Sequence, residues 1–474
     1  MTDLAFATVA ELSRLIDAGE VSPVELTETL LARAEALNGP LNAFNLITAE
    51  RALAEARAAE TLIQAGRRLG PLHGIPYGVK DIFDVAGLPT TAGSRMLGEN
   101  IADADAWVTR RMSEAGMIVL GKTVTVEFAR GIAGLNHIQG TPHNPWSAEP
   151  HMPGGSSAGS GVAVAAGLVP MALGSDTGGS VRAPAGLCGT VGLKTTVGRV
   201  GRSGAFPVSW TLDSVGPLTR TVEDAALAYQ AMLGVDPDDD TTHGIDLDDV
   251  MPTLRSGVEG LRIGIPRDLF FDDLDAEVEA AVAAAAEVFR GLGAGIQDVD
   301  FPEARAADPL GAFLSGPEAC VIHEDRLANR ADEFDHLVGP RMLDDRDISA
   351  VDYLKSQLEI TGLRASMQQS LAQVDVLLAP TTAGPALPVS EVDLPHEQHK
   401  PISRRYSRNT RIGNLLDLCG LSLPCGFTEA GLPIGLMLQA LPFREDLVLQ
   451  AGHAYEQATD WHTRRPNLAW TGSA

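Results

Sequence analysis

Two glycine-bracketed serine runs hold the residues of this 474-residue chain best suited to nucleophilic chemistry, GGSSAGSG at 154–161 and SDTGGSVR at 175–182. Glycine lets backbone N–H groups face a small concavity without side-chain obstruction. A hydroxyl beside such groups meets two needs of acyl transfer, an attacking oxygen and donors for the oxyanion that develops. In the second run Gly178 and Gly179 precede Ser180 at a strand-to-loop break. A glycine turn with Ser180 capping the next helix satisfies the same local pattern, so these residues alone leave both readings open.

Two shorter motifs compete. Gly155-Ser156-Ser157-Ala158-Gly159 matches GxSxG, the nucleophile elbow of α/β-hydrolases, with Ser157 as nucleophile. An elbow needs a hydrophobic strand running into the turn, and the preceding SAEPHMP cannot supply a central strand. GMIVLGKT at 116–123 satisfies the Walker A pattern, yet its variable positions, Met117 to Leu120, form an apolar run where a phosphate loop must be exposed. Lys122 reads instead as a residue at a strand end. The acidic segment 236–250 resembles a calcium loop only until Thr241, which stands where an EF-hand needs glycine, and reads as a solvated loop.

The elements that must position these serines follow from local signals. Ser22-Pro23-Val24-Glu25 opens a helix expected to stop near Gly39-Pro40, so the first forty residues predict a helical pair, and 48–65 continues with helix formers. LHGIPYGVKDIFDV at 72–85 reads as two short strands around a charged interruption that contains Lys80. Residues 106–115 predict a helix and 117–120 a buried strand. Residues 136–153, with four prolines, predict an irregular loop that delivers the chain to the first serine run. A helix over 160–167, a strand over 171–175 and further strands at 261–266, 296–301, 375–380, 421–424 and 431–440 complete a strand–turn–helix grammar. Val278, Val282 and Phe289 fall on one face of an alanine-rich helix between two of them. No linker or repeat stands out, so one interleaved α/β domain over 1–474 is expected, with a helical segment 1–65, a core of about 70–230 and a C-terminal half 255–474.

Composition excludes several classes. Hydrophobic residues at 45 % and charged residues at 21 % suit a soluble globular protein. A formal charge of −26 repels phosphate backbones and anionic lipid headgroups, so neither nucleic acid nor membrane is expected as a partner. No secretory or transit segment and no run near the ~18 apolar residues of a membrane span is visible. Cys188, Cys320, Cys419 and Cys425 are too scattered for a disulfide framework or metal site and predict buried thiols in a reducing cytoplasm.

GVKD at 78–81, PGGSSAGS at 153–160, ALGSDTGGSVRAPAG at 172–186 and CGTVGLKTTVGRV at 188–200, with GPLTRTVEDAA and GLPIGLMLQA further on, resemble the amidase signature family along nearly the whole chain. The resemblance implies a large mixed central β-sheet covered by helices on both faces and a Ser–cis-Ser–Lys triad without metal or organic cofactor. Ser180 matches the nucleophile, Ser156 the bridging serine after a cis peptide bond, and Lys80 the base. The backbone N–H groups of Thr177, Gly178, Gly179 and Ser180 match the oxyanion cradle. Ser157, Asp176 and Arg182 are expected to support the loops by hydrogen bonds, and Phe128, Gly131 and Trp210 to line or adjoin the substrate pocket. Such a base requires that Lys80 be enclosed, since only burial or nearby groups lower a lysine from about 10.4 toward neutrality.

The implied activity is hydrolysis of a small amide, hydrazide, carbamate or urea by a stand-alone cytoplasmic amidase, expected as a homodimer. The alternative is the glutaminase component of a tRNA-dependent amidotransferase, which Ala183 disfavours, since glutamine often follows the arginine there. Segments 128–138, 206–210, 310–350 and 381–412 are the expected pocket walls. The basic stretch SRRYSRNTR at 403–411 suits either recognition of a substrate carboxylate or, as the expected reading, surface ion pairing.

Overall fold

The computed structural model describes residues 3–247 and 249–472. Eleven strands form one mixed sheet: β1 (Phe44–Ile47), β2 (Pro76–Lys80), β3 (Ile118–Thr123), β4 (Met171–Asp176), β5 (Val191–Lys194), β6 (Ser214–Thr219), β7 (Arg262–Ile265), β8 (Gly295–Asp298), β9 (Val376–Pro380), β10 (Cys419–Phe427) and β11 (Pro433–Ala440). Their spatial order is β1-β3-β2-β4-β6-β5-β10-β11-β9-β7-β8. β2 runs parallel to β3 and β4, and β7 parallel to β8 and β9; the other pairs are antiparallel.

The period of two along β10 and β11 shows why helices cover both faces. Leu421, Leu423, Leu436 and Leu438 share a core with Val278, Val282 and Phe289 of the helix Ala276–Gly291 and with Val448 and Tyr455 of the helix Glu445–Ala458. Met437 points the other way, into a core with Ile412 and Leu415 of the helix His396–Leu415. On that second face Gly435 lets the helix Arg182–Cys188 approach closely, since a Cβ there would lie 2.7 Å from Gly186 Cα.

The expected helical pair is Val9–Asp17 and Pro23–Leu41, and the third helix is Ala49–Gln64. Ser22 Oγ accepts from Glu25 N at 3.1 Å, as its cap signal requires. The second helix runs one residue beyond Pro40 because Asn42, at φ 48°, takes the left-handed conformation that ends it.

Three expectations need correction. Residues 72–85 hold one strand, β2, rather than two: after Lys80 the chain turns, with Ile82 N and Phe83 N both donating to Lys80 O. The turn is held by the buried Asp81 carboxylate, which takes Lys122 Nζ at 2.7 Å, Asn45 Nδ2 at 2.6 Å and the Thr91 hydroxyl. The acidic segment 236–250, of which residue 248 lies outside the described residues, is not uniformly solvated. Asp236 is buried and accepts from Ser203 Oγ at 2.7 Å, and Asp239 pairs with Arg202 at 2.8 Å. Among the cysteines, Cys320 is only partly buried.

Candidate active site

Three strand and helix ends converge on the site. β2 ends at Lys80, its parallel neighbour β4 ends at Asp176, and the helix Ala158–Ala165 that begins just after Ser157 packs across both. The peptide bond between Gly155 and Ser156 is cis. Val126 N and Thr125 Oγ1 donate to the carbonyl of Ser156 at 3.2 and 3.0 Å, which fixes the backbone from which its hydroxyl projects. Lys80 Nζ then donates to Ser156 Oγ at 2.8 Å and to Ser175 Oγ at 2.8 Å.

Burial alone does not single out this lysine. Lys80, Lys122 and Lys194 are all fully enclosed. Lys122 is neutralised by Asp81, and Lys194 Nζ donates to the carbonyls of Thr195 and Leu418 at 2.8 and 2.9 Å. Only Lys80 meets two hydroxyls and no carboxylate. Burial lowers its pKa to about 7, against the opposing pull of the more distant Asp176 and Asp213. At neutral pH a large fraction of this amine is uncharged and able to take a proton.

The Ser180 loop is organised by Asp176. Its carboxylate accepts from Gly179 N at 2.7 Å, Val181 N at 3.2 Å, Arg182 Nε and Nη2 at 3.0 Å each, and Asn414 Nδ2 at 2.9 Å. Burial opposes ionisation of Asp176, but the Arg182 guanidinium outweighs it and holds the carboxyl well below the usual range. Gly179 sits at φ 124°, and a Cβ there would lie 2.1 Å from Thr410 Oγ1, so the loop shape excludes any other residue at that position. Thr410 Oγ1 in turn donates to Gly178 O at 2.9 Å, and Thr177 Oγ1 donates to Asp213.

These contacts leave the amides of Thr177, Gly178 and Ser180 without an acceptor among the described residues, while the Gly179 amide is committed to Asp176. The cradle expected from four amides thus has three free ones. Thr177, Gly178 and Ser180 line a cavity of about 640 Å³, a size that suits a small organic ligand. The Ser180 hydroxyl makes no hydrogen bond among the described residues, so no bond joins Ser156 Oγ to Ser180 Oγ here. Such bonds commonly close only when substrate is bound.

The remaining expected residues divide. Gly131 lines the cavity, and Ser157 is buried beside the site, its Oγ 3.4 Å from Ser175 O. Phe128 stands behind the wall: it is fully buried among Phe206, Phe334 and His323, with ring centroids 5.3, 5.6 and 4.2 Å away. Trp210 is 47 % exposed and borders a smaller cavity, with Phe206, Asp213 and Ser175. Of the expected walls, residues 128–138, 310–350 and 381–412 do contribute to the large cavity, and 206–210 contributes Val208.

Sequence reasoning missed Ser175 and Asn414. Ser175 carried a usable signal, since it lies at the end of β4, five residues before Ser180. Asn414, which also donates to Asp176 O at 3.0 Å, comes from a helix more than two hundred residues away and carried none. Two groups of potential metal ligands, His137 with His336 and Asp393, and Asp344 with His396 and Glu397, converge within 4.8 Å. Both are occupied internally: His137 binds Asp335 and Asp393, and Asp344 binds Lys400 and His396.

A family model described as Amidase matches residues 25–449. A glutamyl-tRNA(Gln) amidotransferase component from Chloroflexus aurantiacus is 39 % identical over 492 residues, covering 99 % of this chain and all of that one. Native peptide amidase from Stenotrophomonas maltophilia superposes with a TM-score of 0.86 at 31 % identity, over 98 % of this chain and 99 % of that one. The corresponding glutamyl-tRNA(Gln) amidotransferase component from Thermotoga maritima gives a TM-score of 0.82 at 29 % identity, with 96 % of each chain covered. Among the described residues no helix is long and apolar enough to cross a membrane. Matched by the family along most of its length and by relatives from end to end, this chain belongs to the amidase family.

Proposed function

We propose that the protein hydrolyses an acyl–nitrogen bond of a small molecule through Lys80, Ser156 and Ser180. The observation that carries this reading is the hydrogen bond from an enclosed, carboxylate-free Lys80 to Ser156 Oγ at 2.8 Å, beside a Ser180 that lines the cavity. Neutral Lys80 takes the Ser156 proton while Ser156 takes that of Ser180, whose oxygen attacks the carbonyl carbon. The amides of Thr177, Gly178 and Ser180 receive the negative charge that develops on the carbonyl oxygen. As the tetrahedral adduct collapses, the proton returns through Ser156 to the nitrogen, the C–N bond breaks and the amine or ammonia leaves. Water then attacks the Ser180 ester by the same relay and releases the acid. Asp176 and Arg182 position the loop and touch no reacting atom.

A second reading, the glutaminase component of a tRNA-dependent amidotransferase, is favoured by the amidotransferase relatives that match the chain from end to end. It uses the same chemistry on glutamine and hands ammonia to a partner. Ala183 weighs against it. Ammonia release from glutamine and turnover of benzamide, acetanilide and benzhydrazide by the purified chain, together with its size in solution, separate the two. Turnover of simple amides by the isolated chain supports the first reading. Glutamine hydrolysis that appears only with added partner proteins supports the second.

A further inference from the structure

Away from the catalytic serines, two imidazoles and two carboxylates meet beside the large cavity. Asp335 is the buried member, its side chain 2 % exposed. Its carboxylate accepts from His137 N at 2.9 Å and from Leu337 N at 3.0 Å, and its two oxygens lie 3.0 and 2.9 Å from His137 Nδ1. His336, its neighbour in the chain, turns Nδ1 toward the same carboxylate at 3.7 Å. The two rings, with centroids 4.2 Å apart, thus present their Nε2 atoms on the side away from Asp335. There Asp393 Oδ1 stands 3.0 Å from His137 Nε2 and 3.5 Å from His336 Nε2.

Two imidazole nitrogens and one carboxylate oxygen with an open fourth side form a donor set suited to zinc and similar divalent cations. Donors about 2.0–2.1 Å from a tetrahedral ion lie about 3.3–3.4 Å from one another, and the separations of 3.0 and 3.5 Å bracket that spacing. Asp335 supplies the outer bond that metal-binding histidines use, since an Nδ1–H donated to a buried carboxylate fixes the ring and leaves Nε2 for the ion. The ion takes the place of the proton that His137 Nε2 shares with Asp393. Among the described residues no lysine or arginine pairs with Asp335 or Asp393. The second group differs on this point: Lys400 pairs with both Asp344 and Glu397, at 2.5 and 2.9 Å, so an entering cation would have to expel an ammonium.

The three donors come from separate parts of the chain, and each part reaches the cavity wall close by, through Leu135, Leu337 and His396. We propose that His137, His336 and Asp393, oriented by Asp335, bind a divalent cation of the zinc type as a structural clasp on the cavity rim. The clasp is independent of the chemistry assigned to Ser180. The test is calorimetric titration of the chelator-stripped full chain with zinc chloride, beside magnesium chloride as the oxygen-preferring control. Zinc binds at one ion per chain with a Kd of about 10 μM or tighter and raises the melting temperature, and magnesium does neither. His336→Ala and Asp393→Asn alter exposed side chains, so the fold survives, which far-UV circular dichroism establishes. Each weakens zinc by about tenfold or more and removes most of the thermal gain, whereas Glu397→Gln in the second group leaves both unchanged. Binding weaker than that limit, magnesium binding of equal strength, affinity that survives either ligand variant, or a loss in Glu397→Gln overturns the proposal.

Discussion

Lys80 Nζ donates to Ser156 Oγ at 2.8 Å across 76 positions of sequence, and an equal bond to Ser175 Oγ holds the amine from a second direction. Residues that pass one proton act as a unit, so their losses do not add. Lys80→Ala and Ser156→Ala are each expected to lower kcat by about 10³-fold or more, and the double variant by little beyond the worse single one. Steady-state kinetics of the three variants checks this; additive losses contradict a shared relay.

The acid limb of the pH profile reports the same amine. Lys80 is a base only when neutral, and burial brings its pKa to about 7, so kcat/KM rises with pH through about 7 and levels off above it. A hydroxyl that accepts from an ammonium favours the charged form, so Ser175→Ala moves the limb to lower pH while reducing the rate. A pH–rate profile of both proteins checks the sign. A limb near the ordinary lysine value contradicts it.

Asp176 and Arg182 are both fully buried and face one another at 3.0 Å. Asp176→Asn leaves the guanidinium without its counter-charge and is expected to cost about 3–5 kcal/mol of unfolding free energy. The same change turns one of the two acceptor oxygens into a donor, so either the Gly179 or the Val181 amide loses its acceptor and turnover falls as well. Urea unfolding and kinetics measure the two effects together. Asp176→Glu, which keeps the charge, is expected to be the milder variant in unfolding.

Lys122 belongs to a Walker-like string but lies inside β3 against Asp81. Lys122→Met strands the buried Asp81 charge and lowers stability by about 3–5 kcal/mol, whereas Mg-ATP leaves the melting temperature of the unaltered protein unchanged. Thermal melts with and without nucleotide check both statements. A nucleotide-dependent rise contradicts the placement of Lys122 as a core ion pair.

What the sequence made legible was local. The Ser22 cap, the strand expected over 117–120, which in the structure runs Ile118–Thr123, and the glycine break before Ser180 follow from residue types within a few positions. The serine and lysine positions came from a motif resemblance, and their convergence depends on β2 and β4 pairing in parallel, which local periodicity does not encode. Phe128 illustrates the opposite failure. It was expected to line or adjoin the substrate pocket, but His323 and Phe334, brought from about two hundred residues downstream, enclose it in a cluster of rings.

The account turns on which serine carries the acyl group. Treatment with a fluorophosphonate, followed by peptide mapping, identifies the reactive hydroxyl directly. The account predicts a single adduct on Ser180 that is absent from Ser180→Ala and strongly slowed in Lys80→Ala. An adduct on Ser157 or Ser156, or labelling and turnover that persist in Ser180→Ala, would contradict it.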